Sequence, residues 1–405
     1  MAARSSSASS SSAKATRPSL DLATLLTDPA TRIVVCCGAG GVGKTTTAAA
    51  MGLWAAEHGR KVVVLTIDPA RRLAQSLGLT ELDNTPRPVE GAGADGGSLD
   101  AMMLDMKRTF DEVVEQHATP EKAAQILANP FYQAVSSSFA GTQEYMAMEK
   151  LGQLRAEADR TGRWDLVVVD TPPSRSALDF LDAPKRLGSF LDGRFIRLMT
   201  APAKAGGRAG FKVFSVGVTM VTSTMSKLLG GQLLQDVQTF VAALDTMFGG
   251  FRERADQTYA LLKNPETAFV VVAAPERDAL REASYFAGRL DEEQMPLAGL
   301  VVNRIQRVAA PSLRASRALA AADQLADTDG ADGADGVDRS PTSAETEGLL
   351  RLHAALAETA ERQERQVSRF TAGHPGIPLV EVPAAAQDIH DLTGLRAVAA
   401  SLTGA

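Results

Sequence analysis

Residues 36–47 read CCGAGGVGKTTT, with an apolar run before them and an alanine-rich one after. Gly38, Gly43, Lys44 and Thr45 keep the spacing G-x-x-x-x-G-K-[ST] of a phosphate-binding loop. That chemistry dictates its surroundings. A strand must deliver the chain, glycines must let backbone N–H groups close round phosphate oxygens, and a helix must start behind them. Val34–Cys37 supplies the strand, Gly38–Gly43 the loop, and KTTTAAAMGLWAAEHG the helix. Gly40, Gly41, Val42, Gly43 and Thr46 are expected to line the cradle, Lys44 to meet the terminal phosphates, and the Thr45 hydroxyl to ligate magnesium. The loop is read as a site for ATP or GTP.

Short runs rich in β-branched and apolar residues recur at Arg32–Cys37, Lys61–Ile67, Ala101–Met106, Asp165–Val169, Ala268–Ala273, Leu297–Val302 and Ile377–Val382. Near-continuous apolar character suits strands covered on both faces, and helical stretches separate them. The expected class is therefore α/β, a mostly parallel sheet with helices on both faces. The nucleotide-binding part is assigned to residues 31–106, 164–175, 263–310 and 344–405. Two intervals are too long for simple crossovers, 107–163 and 176–262, and are read as an inserted helical subdomain. Within the second, Leu233, Val237, Phe240, Val241, Leu244, Met247, Phe248 and Phe251 recur at helical spacing, as a core-facing stripe would. Residues 322–343 are acidic and Gly-rich and read as a flexible surface loop, with a helix resuming near Ala344.

Residues 1–30 open with a basic, Ser-rich stretch read as a disordered tail, an organelle transit peptide being the alternative. Net charge of -6 argues against a general nucleic-acid binder. The apolar run between Lys212 and Lys227 is too short and too rich in Ser and Thr to cross a bilayer, so no transmembrane helix is expected. Cys36 and Cys37 are adjacent, which gives neither C-x-x-C zinc spacing nor a disulfide framework.

Two acids lie at the carboxyl ends of apolar strands, where parallel sheets gather their ligands. Asp170 closes LVVVD and is a candidate to orient magnesium, through a water. Asp68, in VVVLTIDPARRL, could orient or deprotonate the attacking water, or simply cap a helix ahead of Pro69.

GAGGVGKTTT, TIDPARRL, VVVDTPPSRSALDFL, VVNRI and IPLVEVPAAAQDIHDLTGLRAVA stand in the order found in the ArsA-like ATPases. This family, of the deviant Walker A class of phosphate-loop proteins, includes the arsenite-pump ATPase and the eukaryotic ATPase that delivers tail-anchored membrane proteins. The chain resembles it from about Thr31 onward, apart from the acidic stretch. The resemblance implies dimeric, magnesium-dependent ATP hydrolysis that opens and closes two helical subdomains. Asp68 matches the family's first switch, whose Asp handles the attacking water, and Asp170 and Thr171 match the start of its second. Asn303 matches the adenine-reading Asn and Pro383 the loop over the base, which favours ATP.

The departures carry information too. Ala39 stands where the family has a lysine that crosses to the partner's nucleotide, and Ser174 and Arg175 stand where its second switch has Thr and Gly. A charge donated in trans is worth about 10³–10⁵ in rate in other nucleoside triphosphatases. The expected partner is therefore a paralogous, lysine-bearing subunit in a heterodimer, or else a second copy of the chain. The family's arsenite-binding cysteines and its zinc-bridging C-x-x-C pair are both absent from the sequence. The functional expectation is an ATP-driven targeting or chaperone factor for hydrophobic clients, among them membrane proteins, acting in the cytoplasm and transiently at the membrane. The alternatives are a motor subunit energising a membrane transporter, or a slow regulatory ATP-binding subunit.

Overall fold

The computed structural model describes residues 17–67, 71–79, 81–130, 132–133, 136, 142–172, 253–332 and 341–405. Among them lie eight strands: β1 (Ile33–Gly38), β2 (Lys61–Thr66), β3 (Arg87–Pro88), β4 (Ser98–Met103), β5 (Leu166–Asp170), β6 (Thr267–Ala273), β7 (Leu297–Ile305) and β8 (Leu379–Pro383). They form one sheet in the order β3-β4-β2-β5-β1-β6-β7-β8, parallel throughout except at the β3–β4 edge.

The alternation of side chains explains the layers. Ile33, Val35 and Cys37 of β1 enter one core, while Val34 and Cys36 enter the other. β2, β5 and β6 divide the same way, Val63, Val167 and Phe269 to one face and Val64, Val168 and Val270 to the other. Strands apolar at every position have no face to show water, so helices must cover both.

Those helices are α1 (Leu22–Thr27), α2 (Lys44–Glu57), α3 (Arg71–Ser76), α4 (Met106–His117), α5 (Pro120–Leu127), α6 (Thr142–Thr161), α7 (Arg277–Glu292), α8 (Ala315–Asp332), α9 (Pro341–Gly373) and α10 (Leu392–Thr403). A further helical stretch covers 253–263. Residues of α1, α2, α3 and α10 join one core; those of α4, α5, α6, α7 and the inner end of α9 join the other. Alanine in α2 lets it lie close to the sheet: a side chain at Gly52 would run into Val64. At the opposite end of the sheet from the phosphate loop, buried Arg60 donates to the carbonyls of Leu26, Asp28, Thr31 and Asp165 and pairs with the Asp165 carboxylate at 2.7 Å.

Four differences from the sequence reading have local causes. Residues 17–30, inside the stretch 1–30 read as a disordered tail, hold α1, because Asp21 caps it by accepting from the Thr24 N–H and Leu20, Leu22 and Leu26 are buried in the core. The strand expected at Ala101–Met106 lies at Ser98–Met103, because Asp105 caps α4 by accepting from the Arg108 N–H. The two residues of β3 are too few to leave a periodic signal. Helix α8 runs on to Asp332, into the stretch 322–343 read as loop; it packs against α9 through Ala315, Ala318, Ala354 and Ala357. The first helical interval, 107–163, shares its core with the sheet through Val113, Ile126 and Leu151. The stripe at Leu233–Phe251 and most of the second interval lie outside the described residues.

Candidate active site at the carboxyl edge of the sheet

β1 ends in Gly38 and the loop turns into α2 at Gly43, the helix N-cap, with φ of 94°. Gly38 abuts the Val272 carbonyl and Gly43 the Asn303 side-chain amide, so a Cβ at either place would collide. Both glycines therefore have a steric reason as well as a conformational one. Gly40 and Gly41 are exposed at the loop's crest, Val42 is buried beneath it, and Thr46 is half-buried in the first turn of α2.

Lys44 is buried, and its Nζ donates to the Ala39 carbonyl at 2.8 Å, so the ammonium lies back across the loop. Thr45 Oγ1 donates to Asp170 Oδ2 at 2.7 Å, and Thr66 Oγ1 donates to the same oxygen at 2.9 Å. Asp170 is fully buried at the end of β5. A threonine hydroxyl touching a buried carboxylate is a pair of hard oxygen donors suited to magnesium. The Thr171 hydroxyl donates to the Cys36 carbonyl at 2.8 Å, tying the start of the next segment to β1.

Asn303 sits near the end of β7, and its Nδ2 donates to the Val42 carbonyl at 2.9 Å while its Oδ1 accepts from the Arg304 N–H. Arg304 adopts φ of 63° where the β7–β8 register slips, so the chain kinks at this point. Pro383 ends β8 opposite Ile305, and the next residue, Ala384, donates its N–H to the Ile305 carbonyl. The structure thus brings Lys44, Thr45, Asp170 and Asn303 to one edge, with Pro383 beside the tip of β7. Asp68 lies outside the described residues, as do Ser174 and Arg175.

The two cysteines are buried on opposite faces of β1. Burial pushes the Cys37 thiol up to about 12, against a smaller pull from Lys44, and burial likewise raises the Cys36 thiol well above its ordinary value. They are packing groups, held in the unreactive thiol form.

Residues 31–317 match the model of the anion-transporting ATPase family. The chain belongs to that family. Among its relatives, an ATPase GET3C of Arabidopsis thaliana is 24% identical over 66% of this chain and 65% of its own length. The arsenical pump-driving ATPase of Acidiphilium multivorum is 28% identical over 38% of this chain and 26% of its own. An ATPase GET3 of Malassezia globosa is 29% identical over 41% of this chain and 46% of its own. The chain thus spans less than two thirds of the length of these curated relatives.

Sequence reasoning overlooked Thr66, although a polar residue closing the apolar run VVVLT was a usable signal; register sets it opposite Asp170. It also overlooked the acceptors of Lys44 and Asn303. Both are main-chain carbonyls, which carry no mark in a sequence.

Proposed function

We propose that this chain binds ATP with magnesium at the loop 38–45 and hydrolyses it to ADP and phosphate. The observation that carries this reading is the junction of Lys44, Thr45 and Asp170 behind a glycine loop that has no room for side chains at Gly38 or Gly43. Main-chain N–H groups and the start of α2 would face the phosphates, and Lys44 would exchange the Ala39 carbonyl for a phosphate oxygen. Thr45 and Asp170 would hold the magnesium, which when bound offsets the charge developing on the phosphates. Asp68 would orient the attacking water, Asn303 and the Pro383 loop would hold adenine, and family membership supports these roles.

The hydrolysis would drive opening and closing of a dimer that acts as a targeting or chaperone factor for hydrophobic clients. Support for the clients comes from the family resemblance and from Met199, Met220, Met225 and Met247, which lie outside the described residues. Flexible thioethers suit variable apolar surfaces. No described helix is long and apolar enough to cross a membrane. By family resemblance the factor would act in the cytoplasm and meet membranes only transiently. Ala39 motivates the partner: alanine carries no charge where the family has its crossing lysine, so the trans charge would come from a lysine-bearing paralogue.

Native mass spectrometry of the Asp68→Asn protein, purified from its own cells with ATP and magnesium, tests this assignment. A lysine-bearing paralogue together with a hydrophobic client is the expected result. Self-dimers without clients would overturn both and leave a slow regulatory subunit.

A further inference from the structure

One contact near the site serves neither the loop nor the metal acid directly. Gln143, in the first turn of α6, donates its Nε2 to the Ile67 carbonyl at 3.1 Å. Ile67 immediately follows β2, and its own N–H donates to the Asp170 main-chain carbonyl at 3.0 Å. One residue earlier, Thr66 donates its hydroxyl to the Asp170 carboxylate, and its carbonyl accepts from the Leu104 N–H at 2.9 Å. The end of β2 is therefore held from both sides: by Asp170 and β4 within the sheet, and by Gln143 from the helix layer above. Because a peptide unit is planar, gripping the Ile67 carbonyl restrains the backbone direction at Ile67.

We propose that Gln143 is a positioning residue for the metal acid. It fixes the end of β2, and through Thr66 and Ile67 it fixes the direction of the Asp170 carboxylate toward Thr45. The inference rests on the reading of Asp170 and Thr45 as magnesium holders. The neighbouring Glu144 supports a role beyond stability. It is buried, and its Oε2 has no hydrogen-bond partner among the described residues, an arrangement that costs free energy. A turn serving stability alone would not carry that burden, whereas a turn held in place for a site can.

The test is the magnesium dependence of fluorescent ATP-analogue binding to the full chain, read without turnover, for Gln143→Ala and Gln143→Met. The methionine keeps the length and most of the packing and removes the amide that makes the bond. Both variants should raise the half-saturating magnesium about fivefold, the worth of one hydrogen bond. Both should leave metal-free nucleotide affinity and the melting temperature near wild type. Wild-type magnesium dependence in Gln143→Met would overturn the proposal, because packing would then suffice. A parallel fall in melting temperature and metal-free affinity would overturn it as well, in favour of a structural role. Asp170→Asn separates the two readings: if it leaves the magnesium dependence intact, the metal-site assignment fails whatever Gln143 does.

Discussion

Gly43 shows how one residue answers to two demands at once. Its φ of 94° lies in the left-handed region, and the Asn303 amide occupies the space where a Cβ would go. Alanine there would face a backbone cost of about 1–2 kcal/mol and would displace Asn303 from the Val42 carbonyl. Gly43→Ala is accordingly expected to lower stability by about that amount, and to weaken nucleotide binding at least tenfold. Denaturant titration and equilibrium binding read the two effects separately. The glycine spacing that marks this loop was fully legible in the sequence, because the constraint is local. Asn303 was legible only through family resemblance. Its partner Val42 lies 261 positions away, a distance over which no pattern of residue types reports a contact.

Among the elements, α6 has the widest reach. Gln143 in its first turn meets the end of β2. Further along, Glu149 accepts from Arg254 Nε through both carboxylate oxygens, at 2.9 and 3.0 Å, and from the Tyr145 hydroxyl at 3.1 Å. Gly152 allows the helical stretch 253–263 to approach so closely that a side chain there would meet Thr258. The Glu149 side chain is only 3% exposed, so removing its cation would strand a buried carboxylate. Arg254→Ala should cost about 3 kcal/mol, the usual penalty for breaking a buried pair from one side. Urea unfolding would measure it, and a loss below about 0.5 kcal/mol, the range of an ordinary surface substitution, would show that the pair is effectively solvated. The helical character of this stretch could be read from its sequence, but the pairing could not. Glu149 and Arg254 are 105 positions apart, and each alone looks like one more surface charge.

For the molecule as a whole, the sheet was the most legible feature. Seven strands stood out because burial on both faces leaves nearly unbroken apolar runs, and the structure shifts their ends by only a few residues. The helical layer was harder to place. The length of the interval 107–163 marked it as helical, but gave no sign that these helices share a core with the sheet rather than standing apart from it. The acidic stretch was read as loop from its glycines and aspartates, whereas its beginning, 322–332, continues α8, with Asp323 paired to Arg351 of α9. What joins these scales is the carboxyl edge of the sheet, where the ends of β1, β5 and β7 deliver the loop, Asp170 and Asn303.

On the function proposed, this edge hydrolyses ATP through Lys44, Thr45 and Asp170. Phosphate release under single-turnover conditions, with magnesium and ATP, tests it most directly when wild type is set beside Lys44→Ala. Slow release by the wild-type chain alone is expected, with a fall of about 10² or more in the variant, the scale set by removing one preorganised donor. Equal rates in the two proteins, at matched nucleotide occupancy, would contradict it.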